Sequence, residues 1–320
     1  MTTAQTPAIE ALAEQLVDAM AATPGAHAGL RPCHAKGLVC RGTFTGGPGC
    51  RTLCRAAHFS GAMVQAIIRF SDGSGDPNAH DGQPNVRGMA VKFHLSDHAA
   101  TDIVAISVEG FAARTGEAFL EFVRARAIDP ATGLSSPSRV DAFLTSHPAA
   151  KAFVGRVLSR PAPVSYAQSF YYATHAFKFM SADGVGRFGQ YRWRPEAGEK
   201  YFAIHPASNQ EPDFLRKELE TRLAEGPASF VLEAQMANPD DPLDDVTAIW
   251  PEGRQIIELG RLEVTEISPT GEEDERSLSF DPSKLTDGIE PPVDPLFAPR
   301  ARAYAISFAR RTAQGRIPEA

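Results

Sequence analysis

The apolar positions change period once within the first hundred residues. Ile9, Leu12, Leu16, Val17 and Met20 recur three and four apart, which puts them on one face of a helix over residues 7–23. Gly25 and Gly29 then break the pattern. From 38 to 108 the pattern is that of strands. Met89, Val91, Phe93 and Leu95 alternate with Ala90, Lys92 and His94, the period of two expected of a half-buried strand. Residues 62–70 and 102–108 are similar but more apolar on both faces. The Gly/Asp run 72–78 is read as a turn, because it lacks the sixth-position glycine and closing glutamate of a calcium loop.

Helical periodicity returns at 117–127 and 139–159. A second β block follows. Residues 170–179 and 187–194 read as a hairpin about Asp183 and Gly184, and 229–236 and 255–267 as further strands. Asp213 is placed to cap a helix running to Ala224, with Leu215, Leu219 and Leu223 on one side. The proline-rich run 287–299 reads as irregular, and 300–311 as a terminal helix. Strands in two blocks, with helices between and after them, predict an α+β fold: a large antiparallel β-barrel with appended helices. A parallel α/β fold would alternate strand and helix throughout. The expected division is an N-terminal amphipathic helix over 1–24 and a core over 25–320.

Composition narrows the function classes. With 43% hydrophobic residues in 320, the chain can bury a large core. A net charge of -7 leaves no basic excess to neutralise phosphates, so a nucleic-acid partner is not expected. No apolar run approaches the roughly 20 residues that cross a bilayer, so no membrane role is expected either. The first residues lack a basic and then an apolar segment, which predicts a cytoplasmic protein. Cysteines at 33, 40, 50 and 54 include no Cys-x-x-Cys pair. They are read as plain thiols ahead of a zinc site, and a reducing compartment argues against disulfides. Phosphate-binding loops, dinucleotide fingerprints, zinc-protease helices and serine elbows are absent from the sequence.

Two stretches carry candidate chemistry. The first is 31–44, where Arg31, His34 and Lys36 precede an extended run. A histidine carried by such a strand is a core residue, a metal ligand or an acid–base catalyst, and the stretch alone leaves all three open. The second is the terminal helix, where Arg300, Tyr304, Phe308 and Arg311 share a face. Its arginines are either solvated, or they hold Tyr304 as an anion. A phenol ionises at neutral pH only beside strong positive charge or a metal.

Together with several other segments, these stretches resemble the haem catalase superfamily, and within it the short catalase-related peroxidase branch. Arg31-x-x-His34-Ala-Lys-Gly37 is similar to the distal histidine signature. Arg69-Phe-Ser71, the run from Asn85 to Phe93, Asp102-Ile-Val104 and Phe111-x-x-Arg114 are similar to the strands that follow it. His175-x-x-Lys178, Trp250-Pro-x-Gly253, Phe280-Asp-Pro-Ser283 and Gly288-Ile-Glu-Pro291 follow in the family's order, and Arg300-x-x-x-Tyr304 resembles the proximal ligand helix. The match is collinear from about 25 to 311.

The resemblance implies a site for haem b. Tyr304 is its axial ligand, as tyrosinate, and catalases are the known case of tyrosine ligation. Arg300 stabilises that charge, supported by His175 and Asp294. His34 is the acid–base catalyst on the opposite face, hydrogen-bonded by Ser71. Arg31, Arg69 and Arg311 bind the propionates, and Phe119 packs over the ring. The implied activity is a peroxidase that reduces hydrogen peroxide or organic hydroperoxides with a small organic reductant and has weak catalase activity. Two alternatives on the same fold are a peroxygenase or fatty-acid hydroperoxide isomerase or lyase, and a non-catalytic haem-binding or sensing protein. Large catalases place an asparagine where this chain has Ile106, and Ile106 cannot hydrogen-bond peroxide. The chain is also expected to lack the C-terminal domain of large catalases, to leave the haem more open, and to form a homodimer.

Overall fold

Eight antiparallel strands close into a barrel. The computed structural model describes residues 5–96, 99–203 and 206–314. The strands are β1 Gly37–Gly46, β2 Met63–Asp72, β3 Arg87–Ser96, β4 Ala99–Ile106, β5 Tyr171–Met180, β6 Gly186–Pro195, β7 Ala228–Met236 and β8 Ile256–Ile267. Their spatial order is β5-β4-β3-β2-β1-β8-β7-β6, and β6 pairs back onto β5. The expected antiparallel barrel is therefore the observed one.

Alternation along each strand fills the interior. Phe44, Ile68, Phe70, Met89, Val91, Phe93, Tyr171, Phe179, Trp193 and Phe230 are all fully buried there. Each large apolar side chain so buried contributes about 2–3 kcal/mol. Many of the 19 phenylalanines thus pack the barrel. A second group, Phe111, Phe119, Phe122, Phe143 and Phe153, lies outside it under the helices.

His58 plugs this interior. It sits on a single helical turn, Ala57–Phe59, with its ring 4.9 Å from Phe93 and 4.0 Å from Phe59. Neither ring nitrogen has a hydrogen-bond partner, and burial pushes its pKa down to about 3. The folded value lies below the unfolded one of about 6.5. Between those two values the unfolded chain takes up a proton that the folded chain refuses, so this residue withdraws stability as pH falls through that window. His58→Phe should leave the neutral-pH melting temperature unchanged or higher. It should also shrink the stability lost between pH 7 and pH 4 by about 3 kcal/mol, at roughly 1.4 kcal/mol per pH unit. Urea unfolding at the two pH values measures this, and equal losses in the two proteins would refute it.

The helices lie outside the barrel. Gln5–Ala21 packs Ala13 and Val17 onto Ala303 and Ile306 of the C-terminal helix Phe297–Gln314. Its Leu16 and Ala19 pack onto Leu120 and Val123 of helix Gly116–Arg126. The single helix expected over 139–159 is two, Pro137–Ser146 and Pro148–Ser159. Pro148 forces His147 out of helical geometry (ψ 81°). The run 287–299 is less irregular than expected. Ile289–Glu290 pairs with β5, and the last helix starts at Phe297. Pro299 is tolerated there because first-turn N–H groups have no partner within the helix. Asp213 stands at the N-cap of Phe214–Glu225, but its side chain makes no cap bond. It pairs with Lys36 at 2.7 Å, and Asp81 from a distant loop accepts from the Leu215 N–H at 2.9 Å instead. The sequence reading did not include the short helix Gly271–Ser277.

Candidate functional site

The site is built on the outer face of the barrel. Phe70 and Met89 point inward, so their neighbours Ser71 and Gly88 point outward. The register aligns Gly37, Ser71, Gly88 and Ile106 across β1 to β4. Two of the four are glycine, and this opens a recess. A Cβ on Gly88 would lie 2.5 Å from Ser71 Oγ and 3.0 Å from His34 Nδ1. A Cβ on Gly37 would lie 2.1 Å from Arg69 Nη2. The recess needs glycine at both positions.

His34 lies on this recess. Its backbone has φ 55°, the only positive φ of a non-glycine among the described residues. Such a conformation is uncommon and holds only where the surroundings fix it. Here the Ala35 N–H donates to Ser74 O at 2.9 Å, and Arg69 Nη2 donates to His34 O at 2.8 Å. His34 Nδ1 is 3.0 Å from Ser71 Oγ. Burial, then the charges of Arg69, Arg300, Arg31 and Arg87, push its pKa down to about 3. The imidazole is therefore neutral at pH 7, which is the state a base requires.

Four residues form a run of hydrogen bonds between β5, which carries His175, the loop at Asp294 and the C-terminal helix, which carries Arg300 and Tyr304. His175 Nδ1 is 2.8 Å from Asp294 Oδ2, Arg300 Nη1 is 3.0 Å from His175 Nε2, and Arg300 Nη2 is 3.4 Å from Tyr304 OH. The tautomer follows from the partners. A guanidinium only donates, so His175 Nε2 accepts and Nδ1 carries the hydrogen toward Asp294. Burial lowers the His175 pKa in spite of Asp294, consistent with a neutral ring. Arg300 is thereby held from one side and left to press its charge on the Tyr304 oxygen from the other. Its guanidinium also lies 5.8 Å from the Phe111 ring.

Arg31, Arg69 and Arg311 converge on the short helix Gly271–Ser277. Arg69 Nε donates to both carboxylate oxygens of Glu275, at 2.8 and 2.9 Å, and Arg31 Nη1 donates to Oε2 at 2.6 Å. Arg31 Nη2 and Arg311 Nη2 both donate to Leu278 O at 2.9 Å. Burial and the Arg69 charge push Arg31 down to about 9, and the same two causes lower Arg311. Arg31 and Arg69 share one carboxylate, while Arg311 reaches only backbone carbonyls, so three guanidinium groups are gathered around a single Glu275. Glu275 is the site residue that the sequence reading missed. The acidic run after Thr270, at Glu272, Glu273 and Asp274, was the available sign of a helix start there.

The remaining residues fall around this frame. Phe119 is half-buried, with its ring 5.0 Å from Phe111. Ile106 is buried in the same cluster as Phe119 and Phe111. Ser107 is turned away, its Oγ accepting from the Arg87 N–H at 2.8 Å. Burial raises the Cys33 thiol and pushes Cys40, on β1, up to about 12. Both shifts run against a reactive thiolate.

The barrel thus carries a histidine–serine pair on its outer face and an arginine–tyrosine pair on its last helix. A family model described as Catalase matches residues 11–315, and the chain belongs to that family. It is 39% identical over 310 residues to a catalase-related peroxidase of Mycolicibacterium paratuberculosis, covering 96% of this chain and 97% of that protein. It is 31% identical over 299 residues to a catalase-related peroxidase of Synechococcus elongatus, covering 93% and 88%. Mouse catalase matches at 27% over 296 residues, which is 88% of this chain and 56% of the catalase. Catalase A of Saccharomyces cerevisiae superposes with a TM-score of 0.81 at 24% identity, over 88% of this chain and 61% of that one, which shows a common fold.

Proposed function

We propose that this protein is a haem b peroxidase that reduces hydrogen peroxide or an organic hydroperoxide with an organic donor. The run Asp294–His175–Arg300–Tyr304 carries the reading, because it directs a half-buried positive charge at one phenol oxygen. The donor set fits the cofactor. Tyr304 would ligate the iron, Phe119 would pack on the ring, and Arg31, Arg69 and Arg311 would hold the propionates. Glu275 supports that last role, since a carboxylate of the chain already sits on Arg31 and Arg69. The family name and the two catalase-related peroxidases point the same way.

Bound haem supplies the redox centre at which the peroxide O–O bond is cleaved. His34 handles the protons. Its Nε2 takes the hydroperoxide proton and returns it to the departing oxygen, while Nδ1–H donates to Ser71 Oγ and fixes the ring. Over a full cycle one hydroperoxide and two hydrogen atoms from the donor give an alcohol and a water. Replacing the second peroxide molecule of a catalase cycle by an organic donor is favoured by Ile106, which offers that peroxide no hydrogen bond.

Turnover of the haem-loaded protein tests this by comparing oxygen evolution with donor oxidation. Donor oxidation should dominate, and oxygen evolution at catalase-like rates would overturn the reading. Products formed from a lipid hydroperoxide without reductant would favour an isomerase or peroxygenase instead. Ile106→Asn should raise oxygen evolution about tenfold, the worth of one hydrogen bond of roughly 1.4 kcal/mol. It should also lower the melting temperature, because the amide enters an apolar cluster.

A further inference from the structure

A cleft of about 780 Å³ is lined in part by the arginine cluster. That is the size of a small-molecule site. Its apolar wall includes Leu30, Pro77 and Ile267, and Leu30 is one of the few large apolar side chains left 40% exposed. Its charged wall holds Arg31, Arg216, Arg276 and Arg311 against Glu273 and Glu275. The lining is thus net positive in a chain of net charge -7. A local reversal of sign attracts anions. Arg216 stands on the exposed face of helix Phe214–Glu225 and holds Glu220 through Nε at 2.9 Å. Such an exposed pair within one helix is weakly held, so a ligand carboxylate can compete for the guanidinium.

We propose that this cleft is the donor site, and that its substrates are phenols carrying a carboxylate. This rests on the peroxidase reading above and names the substrate class for it. Arg31, Arg311 and Glu275 line the cleft and also form the arginine cluster. A donor in the cleft would therefore lie against the same arginines that would hold the propionates. The apolar wall takes the aromatic ring, and Arg216 takes the carboxylate. One hydroperoxide accepts two electrons and two protons from two phenols, giving an alcohol, a water and two phenoxyl radicals.

The test compares 4-hydroxycinnamate with its methyl ester, which keeps the phenol and removes the charge. Haem-loaded wild type, Arg216→Glu and Pro269→Trp are measured by steady-state oxidation and by calorimetric binding. Pro269→Trp places bulk at an exposed residue lining the cleft. In Arg216→Glu the KM and the Kd for the acid should each rise about tenfold, the loss of one charge-assisted contact, with kcat held. The ester's KM should stay near its wild-type value. Pro269→Trp should weaken both compounds. Equal handling of acid and ester by wild type, or an unchanged Kd for the acid in Arg216→Glu, would overturn the donor site. If the acid binds in this charge-dependent way and neither phenol is oxidised, the peroxidase reading fails and the cleft stands as an organic-acid site.

Discussion

Tyr304→Phe should leave the protein folded and almost unable to hold haem. The change removes one oxygen from a helix already anchored by Ala303 and Ile306 against the N-terminal helix, so the helix itself should persist. What is lost is the oxygen to which Arg300 Nη2 donates. In the proposed site that atom is the sole protein bond to the iron. Haem would then be kept by the arginine cluster and ring packing alone. Titration of haem into the apoprotein, followed at the Soret band, should show affinity weaker by at least about a hundredfold, roughly 2.7 kcal/mol. The melting temperature of the apoprotein should change little. Equal haem affinity in both proteins would remove Tyr304 from the site and the cofactor assignment with it.

The second large effect is expected at His34. His34→Ala should retain haem and lower the rate constant of the reaction with peroxide by about 10²–10⁴, the usual worth of a positioned acid–base group. The backbone needs care here, because His34 has φ 55° and alanine is strained there. His34→Asn is the better companion, since asparagine tolerates that conformation and cannot shuttle the proton. Both variants should lose the fast peroxide reaction, and only the alanine variant should also lose stability. A peroxide rate equal to wild type in His34→Asn would assign the proton transfer to another group.

How legible this was in the sequence depends on the range of each interaction. The strands were readable because Met89, Val91 and Phe93 each answer to one face of one strand. His34, and Tyr304 with Arg300 one turn before it, stood out as candidates in the sequence, but their roles came only by resemblance, since Ser71 and His175 are remote from them in the chain. His175 was placed beside Asp294 and Arg300 by the same resemblance, and the bond directions came only from the coordinates. Glu275 was not readable. Its helix is seven residues long, and its function lies in Arg31 and Arg69, which are remote in the chain. Asp213 shows the opposite failure. It has the right residue type for a cap at the right position, but Lys36, from another part of the chain, takes its carboxylate. Local rules lose wherever a buried charge arrives from elsewhere.

The packing of the first helix on the last has a consequence for how the protein is made. Ala13 and Val17 meet Ala303 and Ile306, Arg302 Nη2 lies 2.5 Å from Glu10, and Arg310 lies 2.5 Å from Asp18. The face that holds His34 is contributed near the beginning of the chain, and Tyr304 near its end. During synthesis, then, the two halves of the proposed site cannot meet until Tyr304 has left the ribosome. Cofactor loading should follow emergence of the helix Phe297–Gln314, and a nascent chain halted before Arg300 should bind none.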